Sequence, residues 1–162
     1  MPQAPWWKGA RGEWYVVIQL ALFALIIFGP RRLPGGPEGP GPGAGIGSIT
    51  GGIILLVGAL LIAAGFLKLG KNLSPLPYPK EQAPLRETGP YRLVRHPIYS
   101  GGIFMAFGWG LWVHGWLTVG YAVLLFVFLD IKARREERWL IQKFPGYGAY
   151  RKRVRRLVPY LY

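Results

Sequence analysis

The stretch IGSITGGIILLVGALLIAAGFL, residues 46–67, decides the fold class. None of its 22 residues is charged. A helix rises ~1.5 Å per residue, so the stretch would reach about 33 Å, enough to cross a bilayer core of roughly 30 Å. We therefore predict a membrane-spanning helix here.

Three shorter apolar stretches surround it, at residues 14–28, 98–113 and 117–131. Each taken alone is also typical of a core helix in a soluble protein. Four such stretches in 162 residues favour an all-α integral membrane protein with about four transmembrane helices. The turn His114-Gly115-Trp116 is short, so we expect the last two helices to form a C-terminal hairpin.

Composition excludes several kinds of protein and site. The chain is 51% hydrophobic and 17% charged, which excludes a disordered chain. It has no cysteine, so disulfides, thiolate metal sites and cysteine nucleophiles are excluded. Two histidines cannot build a His-rich metal site, and we predict no metal.

The charge distribution predicts the orientation in the membrane. Lys and Arg number 20, of which 18 lie before residue 12, in residues 68–97 or after residue 129. With four spans these three regions share one side, which the positive-inside rule places in the cytoplasm with both termini. We expect a bacterial or archaeal cytoplasmic membrane protein.

We expect one membrane domain in two parts. Residues 1–67 form two helices joined by a Gly/Pro-rich loop at residues 29–47, and residues 68–162 carry the site. Apolar and basic residues alternate in the tail after residue 129, which predicts an interfacial segment on anionic lipid, interrupted at Pro145-Gly146. Because this basic tail adjoins a membrane span, we do not expect nucleic-acid binding.

The segment GPYRLVRHPIYSGG, residues 89–102, is the densest cluster of candidate site residues. Pro97 suits the first turn of a helix. Arg95, His96 and Tyr99 would then share one side, near free backbone N–H groups that favour an anion. The alternatives are a lipid-phosphate contact for Arg95 and a helix cap for His96.

A second cluster is DIKARREE, residues 130–137. One interpretation is that these residues form ion pairs within a helix, four residues apart: Lys132 with Glu136 and Asp130 with Arg134. Glu136 is otherwise a candidate acceptor for ligand hydroxyl or amino groups. Neither cluster holds a nucleophile with a base, so we expect group transfer with a reactive cofactor rather than hydrolysis.

Together these motifs resemble the isoprenylcysteine carboxyl methyltransferase family and the related phospholipid methyltransferases. The resemblance rests on Gly89-Pro90-Tyr91, on Arg95-His96-Pro97-x-Tyr99-x-Gly101, on the hairpin and on Glu136-Glu137. It covers residues 72–150 and is typical of a small bacterial or archaeal member. It implies an all-helical membrane enzyme that uses S-adenosylmethionine to methylate a lipophilic small molecule.

The resemblance also implies a set of site residues. The cofactor-binding residues would be Pro84, Leu85, Arg86, Tyr91, Arg95, His96, Pro97, Tyr99, Gly101 and Glu136. The catalytic residues on the acceptor side would be Lys132, Arg135 and Glu137. Lys132 stands where eukaryotic members have an arginine facing the substrate carboxylate, so a lipid, amine or thiol acceptor stays open.

Two other functions stay open. Membrane sterol reductases resemble this family near their C-terminal ends and bind NADPH, whose phosphate would meet the basic tail. A non-enzymatic protein that binds anionic lipid would explain the charge, although it leaves the two clusters without a role.

Overall fold

The structure is a computed structural model that describes residues 12–35, 44–70, 76 and 84–162. These residues form five α-helices, one short 3₁₀-helix at Gly89–Arg92 and no β-strand. The predicted all-α fold is confirmed. The helices are α1 (Glu13–Phe28), α2 (Ala44–Leu69), α3 (Pro97–Trp112), α4 (Trp116–Lys143) and α5 (Tyr147–Arg153).

Each of the four apolar stretches lies in one helix of its own, and α3 and α4 form the expected hairpin. Pro97 opens α3, as predicted. The helix α4 is longer than the apolar stretch that predicted it, because the charged residues 130–137 continue it. Asp130 and Arg134 stabilise this extension through a pair at 2.6 Å, four residues apart.

Glycines bring α2 and α3 into backbone contact. A methyl group placed on Gly101 would lie 2.5 Å from the Gly58 carbonyl oxygen, and one on Gly108 would lie 2.6 Å from the Gly51 carbonyl oxygen. On each helix the two glycines are seven residues apart, which is two helical turns. They therefore repeat along one face of each of the two antiparallel helices. Small residues allow this close approach, as in many membrane helix pairs.

Three further small residues of α3 make contacts with other helices: Gly102, Ala106 and Gly110. A methyl group on Gly110 would meet Val119 of α4 at 2.9 Å, and one on Gly102 would meet Phe23 of α1 at 3.7 Å. Ala106 belongs to the buried core between these helices. This face therefore packs against α1 and α4, while α2 uses Gly101 and Gly108.

Two of the described helices are long and apolar enough to cross a membrane: α2, with a mean hydropathy of 2.4, and α4, with 1.7. Only 11% of the most apolar window of α2 is buried, so this helix is not a core helix of the chain. The helix α1 is apolar but shorter. The structure thus gives two candidate spans, α2 and α4, and the number of four spans stays a prediction.

The tail differs from the prediction in one respect. It is interrupted between α4 and α5, as expected. However, the predicted interfacial placement is wrong for Tyr147, Tyr150 and Leu157, whose side chains are fully buried in the protein. The reason is that the tail folds back onto the start of α3, where Val94 and Arg155 form an isolated parallel bridge.

Candidate functional site

The start of α3 is held by the tail. The backbone N–H of Arg95 donates to the Arg155 carbonyl at 2.8 Å, and that of His96 donates to the Arg156 carbonyl at 3.2 Å. Pro97 needs no such partner because it has no N–H. These two bonds fix the backbone at Arg95 and His96 without the help of a ligand.

Glu137 of α4 lies at the centre of a buried charged cluster, named here the Glu137 cluster. Its Oε1 atom is 2.8 Å from Arg95 Nε, 3.3 Å from His96 Nε2 and 3.2 Å from Arg156 Nε. Only 4% of the Glu137 side chain is exposed. One carboxylate thereby joins α4, the start of α3 and the tail, and it compensates the buried positive charge.

Arg95 also binds the backbone of the tail. Its guanidinium donates to the Arg151 carbonyl at 3.1 Å and to the Val154 carbonyl. These carbonyls lie at the C-terminal end of α5, where a positive charge is favourable. Arg95 therefore positions the tail, and its contact with a cofactor stays a prediction. Gly101 faces α2, and its predicted contact with a cofactor likewise stays a prediction.

Beside this cluster lies a more open group formed by His96, Tyr99 and Glu136, named here the Glu136 edge. The His96 and Tyr99 rings stack with centroids 5.4 Å apart and planes at 4°. The Tyr99 hydroxyl donates to Glu136 Oε2 at 2.9 Å, and His96 Nδ1 is 3.8 Å from the same oxygen. A quarter of the Glu136 side chain (25%) is exposed, so its carboxylate can accept from a ligand.

Lys132 and Arg135, the two cations predicted on the acceptor side, both contact α1. Lys132 is fully buried, donates to Gln19 Oε1 at 2.6 Å and lies 5.2 Å from the Tyr99 ring centroid. The Arg135 guanidinium lies 5.4 Å from the Tyr15 ring centroid. Lys132 therefore reaches the Glu136 edge through Tyr99, whereas Arg135 packs outside it.

Sequence reasoning did not include Gln19 or Tyr15 in the site. Gln19 carried a signal, as the only strongly polar residue of the first apolar stretch. A polar group in such a stretch needs a buried partner, and here the partner is Lys132.

The segment before α3 packs against α5. Tyr150 donates its hydroxyl hydrogen to the Tyr91 carbonyl at 2.6 Å, and Arg153 pairs with Glu87 at 3.0 Å. Burial, followed by the charge of Glu136, raises the pKa of the Tyr91 hydroxyl, so it stays protonated. Pro84 is exposed, while Leu85 and Arg86 are half-buried.

Two buried polar atoms around this segment and α5 lack a hydrogen-bond partner among the described residues: Arg86 Nε and Tyr147 Oη. Buried polar groups are nearly always satisfied, so such atoms are places where a polar ligand fits. No group of three or more potential metal ligands occurs within the described ranges. The arrangement therefore suits an organic ligand with hydrogen-bond acceptors.

Comparison with known proteins now identifies the family. The sequence model of the phospholipid methyltransferases matches residues 46–146, well over half of the chain. The chain belongs to the phospholipid methyltransferase family. No curated protein matches it.

The matched region contains the hairpin of α3 and α4 and most of the candidate site. It begins in α2 and ends just before α5, so it includes Tyr91, His96, Tyr99, Glu136 and Glu137. It does not include α1, which supplies Gln19, or the tail, which supplies Arg151 and Arg156. This chain thus completes the family's region with contacts from both of its ends.

Proposed function

We propose that the protein transfers a methyl group from S-adenosylmethionine to a lipophilic acceptor at the cytoplasmic face of a membrane. Membership of a methyltransferase family supports the reaction class. The observation that carries the proposal is the Glu136 edge, where a partly exposed carboxylate lies beside stacked aromatic rings.

The residues fit this cofactor by chemistry. Glu136 would accept from its hydroxyl or amino groups, and Arg86 would donate to an acceptor atom. Tyr91, His96 and Tyr99 offer apolar ring surface with polar edges. S-adenosylmethionine supplies a methyl group bound to a positively charged sulfur. Because this sulfur becomes a neutral thioether on transfer, the leaving group needs no added acid.

The protein's own part is therefore binding, orientation and exclusion of water. The Glu137 cluster holds His96 in place. Glu137 Oε1 already faces three donors, which makes this carboxylate a poor proton acceptor. An acceptor carboxylate would need no base, and a thiol or amine would lose its proton to solvent rather than to Glu137.

An apolar groove supports a lipophilic acceptor. It has a volume of about 250 Å³ and is lined by Ile103, Phe104, Phe107, Val123, Phe126 and Val158. Ile103 and Phe107 follow Tyr99 at spacings of four, so the groove runs along the same face of α3 as the Glu136 edge. An alkyl or prenyl chain there would direct its polar end towards Tyr99.

The same proposal places four helices in the membrane with both termini in the cytoplasm. Exposed basic residues on the cytoplasmic side would then face anionic lipid, among them Arg92, Arg151, Lys152, Arg153 and Arg155. The Glu136 edge would lie at the cytoplasmic boundary, where a water-soluble cofactor and a lipid-soluble acceptor can meet.

Calorimetric titration of the full-length protein in detergent with S-adenosylhomocysteine tests the cofactor. We expect saturable binding by the unaltered protein and by Glu87→Gln, which alters only a surface pair with Arg153. Glu136→Gln should bind about tenfold more weakly, because a charge-assisted hydrogen bond is lost. Tighter binding of NADP⁺, or no binding of S-adenosylhomocysteine, would overturn the proposal.

A further inference from the structure

The helix α5 carries two fully buried tyrosines that differ in one respect. The hydroxyl of Tyr150 donates to the Tyr91 carbonyl at 2.6 Å. The hydroxyl of Tyr147 has no hydrogen-bond partner in the part of the chain that the structure describes, although only 1% of the residue is exposed. Burying a hydroxyl without a partner is unfavourable, so the Tyr147 hydroxyl is a place where an acceptor from outside the described residues would fit.

The surroundings of Tyr147 determine what that hydroxyl can do. Burial, followed by the charge of Glu137, raises the pKa of Tyr147, so the group remains a hydrogen-bond donor. Glu137 Oε1 is already used by Arg95, His96 and Arg156. The charges around this hydroxyl oppose one another, because Glu137 and Glu136 disfavour an anionic partner and Arg95 favours one, so an anion there would have to be held by hydrogen-bond donors.

A second donor lies on the element that faces α5. Arg86 Nε is buried and has no acceptor among the described residues. Its neighbour Glu87 pairs with Arg153 at 3.0 Å, and Tyr91 accepts from Tyr150, so residues 86–91 lie against α5. A guanidinium Nε and a phenol hydroxyl, both without an acceptor among the described residues, match a carboxylate, which has two oxygens and accepts several hydrogen bonds.

We propose that Tyr147 binds S-adenosylmethionine by donating a hydrogen bond to the carboxylate of its amino-acid end, which Arg86 also contacts. This inference rests on the proposed cofactor. It adds a residue outside the region that the family model matches, and it assigns one end of the cofactor to α5.

The experiment compares Tyr147→Phe with Tyr150→Phe, its matched control on the same helix. The full-length variants in detergent are titrated with S-adenosylhomocysteine and with 5′-methylthioadenosine, which lacks the amino-acid carboxylate. Tyr147→Phe should weaken S-adenosylhomocysteine binding about tenfold and leave 5′-methylthioadenosine binding unchanged. Tyr150→Phe should not change the ratio of the two affinities.

Thermal unfolding without ligand gives an independent readout. Removing an unpartnered hydroxyl should leave the midpoint of Tyr147→Phe unchanged or slightly raised, whereas Tyr150→Phe loses a buried hydrogen bond and should unfold at a lower temperature. An equal drop in both variants would mean that the Tyr147 hydroxyl has a structural partner, and would overturn the inference.

Arg86→Gln completes the test. The double variant carries Arg86→Gln together with Tyr147→Phe. If both side chains contact one carboxylate, its fold-loss of S-adenosylhomocysteine affinity should differ from the product of the fold-losses of the two single variants. Independent effects, or unchanged binding by Tyr147→Phe, would refute the inference while leaving the cofactor established. Failure of the unaltered protein to bind S-adenosylhomocysteine would instead refute the proposed function itself.

Discussion

At the scale of single residues, two adjacent glutamates of α4 have different surroundings. Glu137 is 4% exposed and its Oε1 atom faces Arg95, His96 and Arg156. Glu136 is 25% exposed and accepts one hydrogen bond from Tyr99. We infer that Glu137 holds the start of α3 to the tail, and that Glu136 is available to a ligand.

This difference predicts losses of stability of different size for two conservative substitutions. Glu137→Gln leaves the buried Arg95 guanidinium without a carboxylate, whereas Arg156 keeps Asp130 at 2.7 Å, and should lower the free energy of unfolding by about 3 kcal/mol. Glu136→Gln should lower it by about 1 kcal/mol or less, because one partly exposed hydrogen bond is weakened.

Thermal unfolding of each variant in detergent, followed by circular dichroism, measures the effect on stability. The order of stability should be unaltered protein, Glu136→Gln, Glu137→Gln. If Glu136→Gln proved the less stable variant, the assignment of roles to the two carboxylates would be reversed.

At the scale of elements, the contact between α2 and α3 depends on side chains that are absent. Gly51 with Gly108 and Gly58 with Gly101 place the two backbones against each other. Any side chain there would push the helices apart. Because α3 carries His96 and Tyr99 at its start, the position of the Glu136 edge depends on this contact.

We therefore expect Gly108→Ala to destabilise the protein by about 1–3 kcal/mol, since its new methyl group would lie 2.6 Å from the Gly51 carbonyl oxygen. Gly120→Ala in α4 is the matched control, because a methyl group there meets nothing within 4 Å. Alanine is also the better helix former, so the control should be neutral or more stable by up to about 1 kcal/mol.

Denaturation midpoints of the two alanine variants decide this point. A Gly108→Ala protein as stable as Gly120→Ala would mean that α2 and α3 are not in backbone contact.

At the scale of the whole molecule, the exposed apolar surface of α2 is typical of a membrane-spanning helix. Five exposed aliphatic residues recur at spacings of three and four on the side away from α3: Ile46, Ile49, Ile53, Leu56 and Leu60. The glycines of α2 face the protein, and these residues face outwards. In a lipid bilayer these aliphatic side chains would contact lipid tails instead of water.

The four-span arrangement predicts that residues 33 and 160 lie on opposite sides, because three of the proposed spans, α2, α3 and α4, separate them. The chain has no cysteine, so each introduced cysteine is the single labelling site. A membrane-impermeant maleimide should label Leu33→Cys on intact cells and Tyr160→Cys only after permeabilisation, both positions being exposed.

The unaltered, cysteine-free protein is the control for background labelling. Labelling of both cysteines from the same side would mean an even number of spans between them and would contradict the proposed topology.

Much of the fold and part of the site could be predicted from local sequence. Apolar stretches, a proline that opens α3 and a three-residue turn are properties of neighbouring residues, and they placed α1 to α4 and the hairpin correctly. The pairing of Asp130 with Arg134 was also open to prediction, because four residues make one helical turn. The stacking of His96 on Tyr99 follows from the same periodicity.

The direction in which side chains point across the molecule was not open to prediction in this way. Arg95 and Glu137 are 42 positions apart, and the sequence does not show that Arg95 also donates to carbonyls of the tail. Nor does it show that Gly101 faces α2, or that Tyr147, Tyr150 and Leu157 are buried in protein rather than exposed to lipid.

The sequence by itself determined that this protein is helical and apolar, and that its two charged clusters have the residue types of a methyltransferase site. Hydrophobicity, helix periodicity and residue chemistry are carried by short segments, and they are legible without a fold. Only the tertiary structure decided which glutamate is buried, which glycines bring helices together and where the tail lies. These outcomes depend on contacts between distant segments, whose geometry exists only once the helices have packed.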